Sequence, residues 1–231
     1  MWRESFLFQI PDGLTSEEAA PLMCAGASVF SVLNAYDVKA YHRVGVLGVG
    51  GLGHLAIQFA SKMGCEVVVF SSTASKKAEA LQFGAKEFYT AADLGKTENI
   101  RPIDHLLVTA HSLPDWNMYE LHIQIVSTIL LTRLLYRYMP LMAKGGTIYP
   151  ITISLDTLAL PALAMNMSGI GVQGSLIASR FLLKKMLDFA AYHEVKPVVQ
   201  TWPMNVQGIK EAFTSLETNH LRYRAVVVAE S

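Results

Sequence analysis

Short runs of β-branched and aliphatic residues alternate along this chain with longer stretches of helical periodicity. That alternation predicts βαβ units wrapped around a parallel sheet. The strand candidates are 44–48, 66–70, 87–90, 105–109, 147–151 and 171–177. Six parallel strands with crossover helices suffice for a complete doubly wound α/β fold of the Rossmann type. A helix is expected over about 51–63, closed by Gly64, and another over 75–83, closed by Gly84, since glycine commonly ends a helix. Ahead of these, PDGLTSEEAAPLMCAGASVFSVLNAY reads as a turn followed by a helix. Thr15 or Ser16 can cap that helix, and Glu17 and Glu18 sit in its positive first turn. Further helices are expected over 181–193 and 206–216, with a last strand over 223–229. No internal repeat or low-complexity tract appears.

The strongest local signal is Gly48-Val49-Gly50-Gly51-Leu52-Gly53, a match to G-x-G-x-x-G. A lone match is weak, but this one follows an apolar strand, opens a helix and precedes a second strand. In that setting the first glycine permits the tight turn and the second lets backbone approach a pyrophosphate. The third lets the helix pack against the sheet, and the helix N-terminus offers free N–H groups and partial positive charge. The alternative is a glycine-rich turn that binds nothing.

An acidic residue at the end of the second strand would accept from the ribose hydroxyls of NAD. Ser71-Ser72-Thr73 stands there instead, followed by Lys76 and Lys77. Hydroxyls and an ammonium can hold a 2′-phosphate, so NADP is favoured over NAD. The same residues would also serve as an ordinary helix cap with solvated lysines.

Composition narrows the class. With 52% hydrophobic residues there is ample material for a core, and 19 basic against 19 acidic residues leave no net charge to attract a polyanion. No basic cluster argues for nucleic acid. Cys24 and Cys65 are too few for a disulfide framework, so a reducing, cytoplasmic setting is expected. The N-terminus lacks a signal peptide's apolar core. The apolar window 121–136 is too short and too polar for a bilayer span, so no membrane partner is expected.

The segments PDGLTSEEAAPLMCAGAS, RVGVLGVGGLGHLAIQFASKMG, PIDHLLVTA, MAKGGTIYP and QGSLIASR resemble the zinc-dependent medium-chain alcohol dehydrogenases. The nearest branch is the NADP-preferring, cinnamyl-alcohol-dehydrogenase-like group. The resemblance runs over nearly the whole chain with its motifs in order. It implies hydride transfer between NADP(H) and a small-molecule alcohol/aldehyde pair, with zinc as Lewis acid, in a protein that is commonly homodimeric. Carried over residue by residue, Cys24 matches a catalytic zinc ligand and Ser28 a hydroxyl near the nicotinamide. Gly48, Val49, Gly50, Gly51, Leu52 and Gly53 match the pyrophosphate loop. Ser71, Ser72, Thr73 and Lys76 match the 2′-phosphate pocket, and Thr109 also falls among the cofactor positions. Arg222 or Arg224 lies near a cofactor-binding arginine, with Arg224 carried as the candidate.

Two departures accompany the resemblance. The family's remaining zinc ligands belong to an N-terminal catalytic domain, of which residues 1–16 read as a remnant. On this division residues 17–196 form the NADP-binding domain, and 197–231 a helix and strand that in the family pack with the catalytic domain. Catalytic zinc needs three protein ligands, so Cys24 alone is not expected to bind it. A lone cysteine on an apolar helix reads as a small core residue instead. Loss of the partner domain is expected to expose apolar surface on 14–36 and to leave the strand 223–229 without most of its partners. Residues 118–137 read as an insertion, either a translated intron, which codon choice permits at both ends, or a genuine apolar helix. The chain is therefore expected to be inactive alone. The alternatives are a non-catalytic NADP-binding module and a zinc-free quinone-reductase-like enzyme.

Overall fold

The structure is a computed structural model, and it describes residues 3–94, 100–110, 138–153, 162–218 and 220–229. The expected insertion at 118–137 lies outside the described residues.

The first long helix begins as α1 (Ser16–Pro21), with Thr15 as N-cap. Thr15 Oγ1 accepts from the Glu18 N–H while the Glu18 carboxylate accepts from the Thr15 N–H, a complete capping box. Pro21 has no N–H to donate, and the chain continues through a π-turn, Leu22–Gly26, into α2 (Ala27–Ala35). Ser16–Ala35 is apolar and long enough to cross a bilayer by length and composition. Its apolar side chains are instead core: Ala19, Leu22, Ala25, Val29, Phe30, Val32 and Leu33 are all buried. The expectation of an exposed apolar surface on 14–36 is thereby corrected. Phe30 packs edge-on to Phe59 at 5.5 Å, and the same cluster takes in Met186, Leu187 and Ala190.

The main sheet is built from β1 (Arg43–Leu47), β2 (Glu66–Ser71), β3 (Glu87–Thr90), β4 (Ile103–Val108), β5 (Met142–Pro150) and β6 (Gly171–Val172). Its order is β3-β2-β1-β4-β5-β6, with every pairing parallel. This is the doubly wound order expected from the sequence. α3 (Gly53–Lys62) crosses from β1 to β2 and α4 (Lys77–Gln82) from β2 to β3. Both are followed by a glycine in the left-handed region, Gly64 and Gly84. α5 (Ala162–Ser168), unforeseen, precedes β6, and α6 (Arg180–His193) follows it.

Strand alternation sends Val44, Val46, Val67 and Val69 into one core cluster, and Leu47, Val68 and Phe70 into the other. At the start of β1 the buried Arg43 bonds Glu66 and both carboxylate oxygens of Glu87, at 3.1 and 2.7 Å for the latter. That pairing holds Glu87 below the usual carboxylate range.

Three expectations need revision. β6 ends at Val172 rather than 177, because Tyr36 Oη and Gln173 Nε2 take the Gly174 carbonyl at 3.0 and 2.7 Å. β5 begins five residues early, with a register irregularity against β4. And the end of the chain holds an unforeseen strand: β7 (Val199–Pro203) pairs in parallel with β8 (Arg224–Val228) as a separate two-stranded ribbon. α7 (Val206–Glu217), capped by Asn205, packs on it through Gly208 and Ala212.

Candidate functional site

The turn between β1 and α3 carries the glycine sequence. Gly48 sits at φ +98°, closed to other residues, and a Cβ there would meet the Ala110 backbone at 2.9 Å. A Cβ on Gly53 would stand 1.9 Å from the Gly48 carbonyl oxygen, whereas one on Gly50 would meet nothing within 4 Å. Thus the sixth position is closed by helix-to-loop packing and the third faces open space. Thr109 Oγ1 braces the loop from β4's end, 2.9 Å from the Leu47 oxygen and 2.7 Å from that of Gly48. No side chain caps α3; the His54 and Leu55 N–H groups of its first turn are taken by the Gly50 and Leu52 carbonyls, each at 3.1 Å, and the helix end keeps its partial positive charge.

His54, in that first turn, is fully buried. Its Nε2 accepts from the Val198 N–H at 3.2 Å, which places the ring proton on Nδ1, donated to the Gly50 carbonyl at 2.9 Å. Burial holds the ring neutral, with its pKa pushed down to about 4. One turn later Gln58 donates to the Lys196 carbonyl at 2.9 Å and accepts from the Lys196 N–H at 3.1 Å. The two side chains bolt the strand leading into β7 onto α3.

The ribbon returns the contact. Arg224 Nε donates to the Gly51 carbonyl at 3.1 Å. Tyr223 stacks on His54 at 4.8 Å and 11°, and its hydroxyl donates to Glu79. Lys76 Nζ donates to the Val49 carbonyl at 2.6 Å and lies 5.1 Å from the Tyr223 ring centre. Burial first, then the nearby Arg222 charge, lowers its pKa. Arg222 itself pairs with Glu79 at 3.6 Å. Two cations, Lys76 and Arg224, therefore sit on the loop that leads into α3, and Arg222 is close enough to act on the Lys76 charge.

The structure brings Gly48, Val49, Gly50, Gly51, Leu52, Gly53, Thr109, Lys76 and Arg224 together, and leaves both arginine candidates in place. Ser71 closes β2, Ser72 and Thr73 are exposed, and Thr73 Oγ1 pairs with Ser75 Oγ at 2.9 Å. Cys24 is exposed, which corrects its reading as a core residue: the extra residue in the π-turn rotates it off the buried stripe. It is close enough to interact electrostatically with Arg224. Ser28 lies one turn on, its hydroxyl donating to the Cys24 carbonyl at 2.9 Å. Sequence reasoning missed His54, Gln58, Glu79 and Tyr223. The only signal was the i, i+4 spacing of His54 and Gln58 on an otherwise apolar helix.

Among the described residues no group of three His, Cys, Asp or Glu could hold a metal. The described donors therefore do not fit a catalytic zinc, which needs three ligands and an open position.

A model of the zinc-binding dehydrogenases matches residues 51–192, well over half the chain. The chain belongs to the zinc-binding dehydrogenase family. Among curated relatives, an aldehyde reductase of Synechocystis sp. is 32% identical over 95% of this chain and 59% of its own length. Cinnamyl alcohol dehydrogenase 1 of Ocimum basilicum is 31% identical over 97% of this chain and 58% of its own. A solved cinnamyl alcohol dehydrogenase of Sorghum bicolor superposes with a TM-score of 0.81 at 30% identity, over 97% of this chain and 58% of that one. One from Helicobacter pylori, solved with NADP(H), gives 0.75 at 26% over the same shares. This zinc-binding dehydrogenase chain thus spans somewhat over half the length of the relatives it matches.

Proposed function

We propose that this chain supplies the NADP(H)-binding part of an alcohol/aldehyde oxidoreductase, holding the nucleotide from which hydride passes to an aldehyde or returns from an alcohol. The observation that carries this reading is the convergence of Lys76 and Arg224 on the glycine loop that leads into α3, whose Gly50 faces open space. Pyrophosphate approaches the loop at Gly50 and the positive end of the α3 dipole, with Arg224 beside it. The 2′-phosphate lies toward Ser71, Ser72, Thr73 and Lys76, where no carboxylate closes the end of β2. Lys76 exchanges the Val49 carbonyl for that phosphate. Names of relatives point the same way, including an NADP-dependent alcohol dehydrogenase C from Mycobacterium tuberculosis.

Zinc in such enzymes polarises the carbonyl oxygen. Cys24 matches one of its ligands, and the described residues offer no second or third, so no step is assigned to the metal here. That shortfall favours a second reading: a nucleotide-binding module that does not turn over by itself.

Mixing the purified chain with NADPH and an aromatic aldehyde separates the readings. Enhanced NADPH fluorescence with consumption of NADPH supports the oxidoreductase, and enhancement without consumption supports the module. No change in fluorescence at any NADPH concentration overturns both.

A further inference from the structure

Lys76 ends a single 3-10 turn, Ala74–Lys76, that carries its amine away from solvent and over the glycine loop. Nζ is held on one side by the Val49 carbonyl at 2.6 Å and on another by the Tyr223 ring at 5.1 Å. That ring is fixed by its stack on His54 and its bond to Glu79. Glu79, a carboxylate that acts on the Lys76 charge, is already engaged by Tyr223 and Arg222. Among the described residues Lys76 forms no ion pair, although it is half-buried beside a second cation. Lys77, its chain neighbour, is exposed.

We propose that Lys76 is an acylation site for small acyl phosphates and that its modification switches off nucleotide binding. The reagent's phosphate lies among the same cations that surround the nucleotide site, which brings its carbonyl carbon to a fixed amine. The Nζ lone pair attacks that carbon and the C–N bond forms. The C–O bond to phosphorus then breaks, inorganic phosphate leaves, and the nitrogen releases its proton to water. Burial and the Arg222 charge favour the free amine that this attack requires. The resulting amide carries no charge and fills the space in front of Val49, so a 2′-phosphate loses its cation there. This consequence rests on the nucleotide-binding reading, whereas the preference for Lys76 does not.

The test is to treat the whole chain with acetyl phosphate and digest it with a Glu-specific protease. Fragment ions in the mass spectrometer then distinguish acetyl-Lys76 from acetyl-Lys77. Lys76 is expected to react at least about tenfold faster than Lys77, with the ratio falling to near one in urea and NADPH suppressing the reaction. Equal rates in the native chain, or a preference that survives urea, overturn the proposal. Preferential acetylation that NADPH leaves untouched upholds the acylation site and overturns the nucleotide reading instead. Lys76→Arg, which keeps a charge but not the nucleophile, is compared only with itself: its NADPH affinity is expected to be the same before and after acetyl phosphate treatment, whatever its value relative to the parent. A treatment-dependent loss of affinity in that variant overturns Lys76 as the switch.

Discussion

His54 and Val198 lie 144 positions apart, and one accepts the other's backbone N–H at 3.2 Å. Through its other nitrogen the same imidazole holds the Gly50 carbonyl, so a single buried ring ties the glycine loop to the ribbon that delivers Tyr223 and Arg224. The ring works only when neutral, because a protonated Nε2 would present a proton to the Val198 N–H.

A pH dependence follows. His54 falls from its ordinary 6.5 to about 4 in the folded chain, so the unfolded chain binds the proton first. Its contribution is complete above about pH 6.5, declines as pH falls, and is lost by about pH 4, amounting to roughly 3 kcal/mol. Burial, and then the charge of His42, lowers His105 as well, adding a loss of the same sign. Urea titrations at about pH 7.5, above that window, and about pH 5, within it, should give lower stability at the lower pH. His54→Leu should shrink this difference. An unchanged difference would remove His54 from the account.

The glycines of the loop should separate folding from binding. Gly53→Ala sets a Cβ 1.9 Å from the Gly48 oxygen and is expected to cost about 3 kcal/mol or more in thermal or urea unfolding. Gly50→Ala meets nothing within 4 Å, so its stability should stay within about 1 kcal/mol of the parent. Its methyl group does intrude where pyrophosphate approaches, and NADPH affinity should fall about tenfold or more.

The two cysteines should report opposite environments. Cys24 is exposed. Cys65 is buried and donates to the Lys39 carbonyl at 3.4 Å, with burial pushing its thiol up to about 11. A thiol reagent at about pH 8 should label Cys24 on the order of 100-fold faster than Cys65 in the native chain. Comparable rates would mean that the packing around β2 is looser than described.

The parts of this fold set by local chemistry were legible in the sequence. Thr15 and Glu18 announce a helix start, Gly64 and Gly84 mark helix ends, and Gly48 to Gly53 read as a phosphate loop, because each depends on residues a few positions apart. What escaped reading depends on distant partners. β7 is five residues ending in proline, and only its pairing with β8 makes it a strand. The histidines look scattered in sequence, yet His105 stands 2.9 Å from His42 and 3.1 Å from Tyr149 Oη. Cys24 left the core because a π-turn changed the helix phase after Pro21, a shift that regular 3.6-residue periodicity conceals. Lys76 stood out in the sequence beside Ser71-Ser72-Thr73, but its seat against Val49 and Tyr223 joins segments 27 residues and more apart.

The central claim is that the cations around this loop select the 2′-phosphate. Isothermal titration of the whole chain with NADPH and NADH, for the parent and Lys76→Ala, tests it most directly. NADPH is expected to bind at least about tenfold tighter than NADH in the parent, with most of that margin lost in Lys76→Ala. Equal affinities, tighter NADH binding, or a margin untouched by the substitution would contradict it.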